Sequence, residues 1–173
     1  MKAIIALFTV IILSMPVTAW SQTRRRTRPA PRATAAAKAK LLAEARQKGA
    51  ANVATQIKDL SRFVYLMGGV NKGIEEMEAV AQRNNSPKEL LEQTKKSRAV
   101  VGSSIRVFRE RLDKLEAEFF TTDALKPYYT KLAGVAAAAT RAEQQVGNNE
   151  LDEAGRSLLG VINRLTDVLV EMR

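Results

Sequence analysis

The sequence predicts an all-α protein: an antiparallel helical bundle of three to five helices, four favoured, with a long first helix kinked near Gly68-Gly69. Three observations predict it. Apolar residues recur on alternating steps of three and four through almost the whole chain after residue 40, as a buried helix face requires. Aromatic residues make up only 5% of the chain, alanine is abundant, and β-branched residues form no alternating runs that would signal strands. The periodic stretches are separated by short clusters with cap and turn chemistry, at Asn84–Pro87, Thr121–Asp123 and Gly147–Asn149. The period lies close to 3.5, as in coiled coils and antiparallel bundles with shallow crossing angles.

The chain opens with Met1-Lys2 and an apolar run from Ala3 to Leu13, broken at Ser14-Met15-Pro16. Val17-Thr18-Ala19 then supplies the small residues a signal peptidase reads, so residues 1–19 are expected to be a signal peptide. Cleavage is expected after Ala19, with Ser21 as the near alternative. The apolar run is short of the ~20 residues a spanning helix needs. The arginines that follow resist translocation, which keeps an uncleaved membrane anchor as the alternative. The expected destination is the periplasm or the exterior.

Residues 20–33 are expected to be a disordered basic arm. Arg24, Arg25, Arg26, Arg28 and Arg32 are interrupted by Pro29 and Pro31, with no apolar period and no acid. The charge of the whole chain, +10, is concentrated here. Of 28 basic residues, Lys2 lies in the leader and seven lie between residues 20 and 40, which contain no acid. That leaves 20 basic against 18 acidic residues in the remainder, so the folded part is nearly neutral. Such an arm reads either as a solubilising linker between the leader and the domain or as an electrostatic tether to an anionic surface or polymer. No aromatic residue is interleaved from Gln22 to Arg32, so base stacking has no platform among the arginines and sequence-specific nucleic-acid recognition is not expected.

The helical domain is expected over residues 34–173. Its first helix starts near Thr34, with a stripe of Leu42, Ala45, Gly49, Val53, Ile57, Leu60, Val64 and Met67 that resumes at Val70, Ile74, Met77 and Ala81. Gly68 and Gly69 interrupt it as a candidate hinge, because glycine costs about 1 kcal/mol against alanine inside a helix. Close approach of another helix at a smooth patch explains the pair equally well. The second helix begins with a capping box, Ser86-Pro87-Lys88-Glu89. Its stripe runs Leu91, Thr94, Val101, Ile105, Phe108, Leu112, Leu115, Phe119. Arg98 falls beside that stripe, where it either snorkels to solvent along its methylenes, the favoured reading, or faces a carboxylate on a neighbouring helix. The outer face mixes Arg106, Arg109, Glu110, Asp113 and Lys114 at spacings of four, the pattern of pairs within one helix.

A third helix is expected after Thr121-Thr122-Asp123, with Pro127 in its first turn and the stripe Tyr128, Leu132, Val135, Ala139, Ala142, Val146. Gly147-Asn148-Asn149 forms the next turn, with Asn148 or Asn149 expected to cap the last helix. That helix carries Leu151, Ala154, Leu158, Ile162, Leu165, Leu169 and Met172, with Asp152 and Glu153 in its first turn favouring the helix dipole.

Composition narrows the chemistry. With no cysteine and no histidine the chain has no disulfide, thiol nucleophile, zinc-thiolate site, imidazole base or haem ligand of those types. Glu75/Glu78 and Glu150/Glu153 are spaced as helix-surface pairs and read as solvating charge. No glycine-flanked serine elbow or phosphate-cradling loop occurs. No cofactor, no metal and no enzymatic activity are expected. The expected function is binding of an anionic envelope component or partner through Arg24–Arg32. The alternatives are a periplasmic chaperone or adaptor holding client protein between helices, and a self-assembling structural protein.

Overall fold

The computed structural model describes residues 31–83 and 88–173. They form five helical segments: α1 (Pro31–Arg83), α2 (Lys88–Thr121), α3 (Lys126–Leu132), α4 (Val135–Gly147) and α5 (Leu151–Glu171). No strand occurs among the described residues. The fold is the all-α helical bundle the sequence predicts. The Ser86-Pro87 cap and the Asn84-Asn85 stop lie outside the described residues, as does everything before Pro31.

Four rods pack in a closed ring. α1 neighbours α2 and α5, and the α3–α4 rod completes the circuit by packing against the same two. Successive rods run antiparallel. Along α1 the deepest residues recur every seven positions: Val53, Leu60, Met67, Ile74 and Ala81 are all buried. The other rods keep alternating steps of three and four. Val101, Ile105, Leu112, Leu115 and Phe119 come from α2, Leu132, Val135, Ala139, Ala142 and Val146 from α3–α4, and Leu151, Ala154, Leu158, Val161, Leu165 and Val168 from α5. A seven-residue repeat holds one seam of each helix toward its neighbours, which is why a single continuous core results.

The rods have unequal lengths, and this sets the outline. At ~1.5 Å per residue α1 is about 80 Å long. The four-rod section spans only its middle. At the lower end Leu125, buried in the α2–α3 connection, lies over Gly49, where an added Cβ would come within 2.7 Å of a Leu125 methyl. At the upper end Asn71 donates to Asp152 in the first turn of α5 at 2.9 Å. Past that level α1 and α2 continue as a two-helix hairpin with Ala81 and Thr94 buried between them. Before Gly49, the first turns of α1 project from the base.

Several expectations are corrected. The described part of α1 already includes residues 31–33, which the sequence assigns to the basic arm. α1 is one continuous helix through Gly68-Gly69, which settles the choice the sequence leaves open between a kinked continuous helix and two separate ones. Packing on two neighbours holds helical geometry that propensity alone would loosen there. The third helix is in fact two. Gly134 adopts φ +90°, a left-handed conformation, and separates α3 from α4. In α5 the buried positions are Val161 and Val168, with Ile162 and Leu169 only half-buried. Val70 and Leu91, expected in the stripes, are exposed.

The α4–α5 turn also differs from expectation. Neither asparagine caps α5, whose N-cap is Glu150 without a side-chain bond. Asn149 sits at φ 68° and ends α4 instead. The Glu150 amide donates to the Gln145 carbonyl at 2.8 Å and the Asn149 amide to that of Val146 at 3.1 Å. This pair of bonds is a Schellman ending, with asparagine in the place glycine usually holds.

Candidate interaction surfaces

Of the five arginines of the basic arm, Arg24, Arg25, Arg26 and Arg28 lie outside the described residues. Arg32 falls in the first turn of α1, with its side chain outside them as well. What the structure does describe is the rod that carries the arm. From Thr34 to Lys48 every residue is exposed except Leu42 and Ala45, which are half-buried. Lys38, Lys40, Arg46 and Lys48 stand on this projection with a single acid, Glu44, paired to Lys40 at 3.9 Å. The local excess of positive charge therefore extends well into α1. Asp123 at the base of the bundle feels it. Its carboxyl is held below the usual range first by a 2.7 Å hydrogen bond from Lys126 and by that residue's charge, with Lys38 adding to the effect.

A second polar surface is the groove of about 520 Å³ between α2 and α4, lined by Lys95, Arg98, Gly102, Arg106, Glu143 and Asn149. Arg98 does not snorkel. Its Nη2 pairs with Glu78 of α1 at 2.6 Å, because the hairpin brings α1 within reach of the guanidinium. Its Nε is enclosed without a hydrogen-bond partner. Arg106 and Arg109, expected to pair with Glu110 and Asp113 along α2, instead converge on Glu143 of α4 at 2.8 and 3.6 Å. A carboxylate 18% exposed on a facing helix is less solvated than one on the same exposed face, and so competes better for both guanidinium groups. The cations of this groove are thus largely answered by acids of the same chain.

The surface carboxylates expected to be solvating charge have local partners too: Glu75 accepts from Asn71 at 3.0 Å and Glu153 from Arg156 at 3.0 Å. Among the described residues no three acidic side chains converge closely enough to hold a metal ion. No described helix is long and apolar enough to cross a membrane.

Gly68 and Gly69 lie midway along α1. A Cβ at either would meet nothing within 4 Å, and the same holds for Gly73. Gly69 and Gly73 face away from the core, beside Tyr65 and Leu66, whose side chains are 82% and 56% exposed. Sequence reasoning singled out the glycine pair but not these two exposed apolar neighbours. The signal was present in the spacing: residues 62, 65, 66, 69, 73 and 76 fall on the helix side opposite Leu60, Met67 and Ile74.

No protein-family model, no curated protein and no solved structure matches this chain.

Proposed function

We propose that the protein is an exported, non-enzymatic binding protein whose basic N-terminal arm attaches the helical bundle to an anionic envelope surface. The observation that carries this reading is the distribution of charge. Seven basic residues and no acid occupy positions 20–40, while the rest of the chain after them is nearly neutral. Lys38 and Lys40 stand exposed on the early turns of α1 and continue the basic segment into the helix, where Glu44 is the one acid between Thr34 and Lys48. At about 1 kcal/mol for each basic residue near an anionic lipid surface, such an arm supplies firm attachment that salt reverses. The bundle is cargo or platform. Export through residues 1–19, with cleavage after Ala19, places the arm at the new N-terminus, and an uncleaved leader would place it beside a membrane instead.

The test is sedimentation of the mature chain with vesicles of phosphatidylcholine alone or mixed with phosphatidylglycerol, across salt from ~0.05 to ~1 M. Binding should require the anionic lipid, fall steeply with salt, and disappear when Arg24, Arg25, Arg26, Arg28 and Arg32 are replaced by serine. Binding to both vesicle types alike, or binding that survives these replacements, would overturn the proposal.

A further inference from the structure

We infer that the outer face of α1 is a docking surface for a second copy of this chain, the two α1 helices packing antiparallel about a two-fold axis at Gly69. The face carries a large exposed apolar pair, Tyr65 at 82% and Leu66 at 56%, on the side of α1 opposite its buried residues. Beside it Gly69 and Gly73 leave a recess in which a Cβ would touch nothing. In the isolated chain these glycines bring no packing benefit, and each is a poorer helix former than alanine.

The order of residues along this face is palindromic in chemistry. With Gly69 on the axis, Tyr65, four residues before it, lies against Gly73 of the second copy, four residues after it. Arg62, seven before, meets Glu76, seven after, and Leu66 meets the methylenes of Lys72. Each pairing occurs twice, as an isologous interface requires. Bulk faces recess, cation faces anion, and backbone faces backbone where the helices cross. Arg62 and Glu76 hold no ion pair within the chain among the described residues. The neighbouring registers fail. An axis two residues earlier sets Arg62 against Lys72, and one two residues later sets Leu66 against Glu76 and Tyr65 against the half-buried Met77. The Arg62–Glu76 pairing therefore favours a second copy, in the register with Gly69 on the axis over either of those two. A contact of about four helical turns belongs to the small, transient class of interfaces below about 1,200 Å². The expected dimer is accordingly weak and concentration-dependent, and it is independent of the basic arm.

The test uses the full mature chain. Sedimentation equilibrium from ~1 μM to ~1 mM should show a monomer–dimer equilibrium. Glu76→Arg or Arg62→Glu alone should weaken it about tenfold or more, and the two together should restore it, since the same pair is rebuilt with its charges exchanged. Gly73→Leu should abolish the dimer while leaving the helix content unchanged. Because the chain has no cysteine, Gly69→Cys gives a single reporter, and mild oxidation should link it across the axis, whereas Ala79→Cys should stay unlinked. A mass that stays monomeric at every concentration would overturn the inference. So would a dimer indifferent to Arg62→Glu, Glu76→Arg and Gly73→Leu.

Discussion

Removing the carboxylate of Glu116 should destabilise the protein by about 1–2 kcal/mol, although it lies in the middle of α2 and belongs to no sequence motif. The reason is the N-terminus of α4. Gly134 precedes that helix with no side-chain cap, and the first turn contains no acid. Its leading amides thus have no partner within the helix. Glu116 supplies one from outside: the amide of Ala136 donates to its Oε1 at 2.7 Å. A hydrogen bond to a charged group contributes about 1.5–3 kcal/mol. Favourable charge at a helix N-terminus adds ~0.3–1 kcal/mol. Glu116 is half-buried, so water recovers part of this in a Glu116→Ala variant, which brings the net loss into the lower range. Glu116→Gln keeps an acceptor oxygen without the charge and should fall between wild type and alanine. The exposed Glu110, six residues earlier on α2, is the control, and Glu110→Ala should lie within about 0.5 kcal/mol of wild type. Urea unfolding followed by far-ultraviolet circular dichroism gives the ranking, and thermal melts should shift by about 3–8 °C for Glu116→Ala. If Glu116→Ala is no less stable than Glu110→Ala, this carboxylate does not cap α4.

Adjacent residues of α5 should separate sharply. Leu158→Ala, at a fully buried position, should cost about 2–5 kcal/mol in urea unfolding. Leu159→Ala, next to it but 48% exposed, should cost under ~0.5 kcal/mol. Glycines should separate by backbone conformation. Gly68→Ala, helical and facing open space, should gain about 0.5–1 kcal/mol, whereas Gly134→Ala, at φ +90°, should lose about 1–2 kcal/mol. Finally, Lys126→Ala should raise the titration midpoint of Asp123 toward the ordinary carboxylate value in a carboxyl NMR titration, because the lysine's hydrogen bond and charge hold it low. Since the folded value is the lowered one, this contact contributes at neutral pH and is lost as pH falls through the acid end of the carboxylate range. An unchanged midpoint would contradict that cause.

Much of the bundle was legible because a helix face repeats locally. The steps Val101, Ile105, Leu112, Leu115, Phe119 and Leu132, Val135, Ala139, Ala142, Val146 can be read without knowing what they pack against. The polar surface was less legible. For Arg98 the sequence leaves open a snorkelling path or an acid on a neighbouring helix, and for Arg106 it offers a partner along its own helix; the acids they find are Glu78 of α1 and Glu143 of α4. Spacing of four identifies partners on one helix only. Partners across a seam depend on axial register, which no local pattern encodes. The recess beside Tyr65 was half visible: Gly69 stood out in the sequence, but Gly73 and the exposed aromatic beside them did not.

By itself the sequence determined the all-α class, the absence of thiol and imidazole chemistry, and the confinement of excess charge to residues 20–40. These follow from composition and from a period that any one helix reveals. Tertiary structure decided which of two overlapping stripes on α5 faces inward, Val161 and Val168 rather than Ile162 and Leu169. It also decided that Gly134 rather than Gly68-Gly69 breaks a helix. The reason is the same in both cases. An apolar stripe about 3.5 residues in period leaves a choice of neighbouring seams, and a glycine leaves a choice of backbone conformations. Both choices are made by the positions of the other helices. α1 has α2 and α5 along its middle to hold Gly68-Gly69 helical, while α3 and α4 meet at a point where Glu116 can end one helix's connection and begin the next.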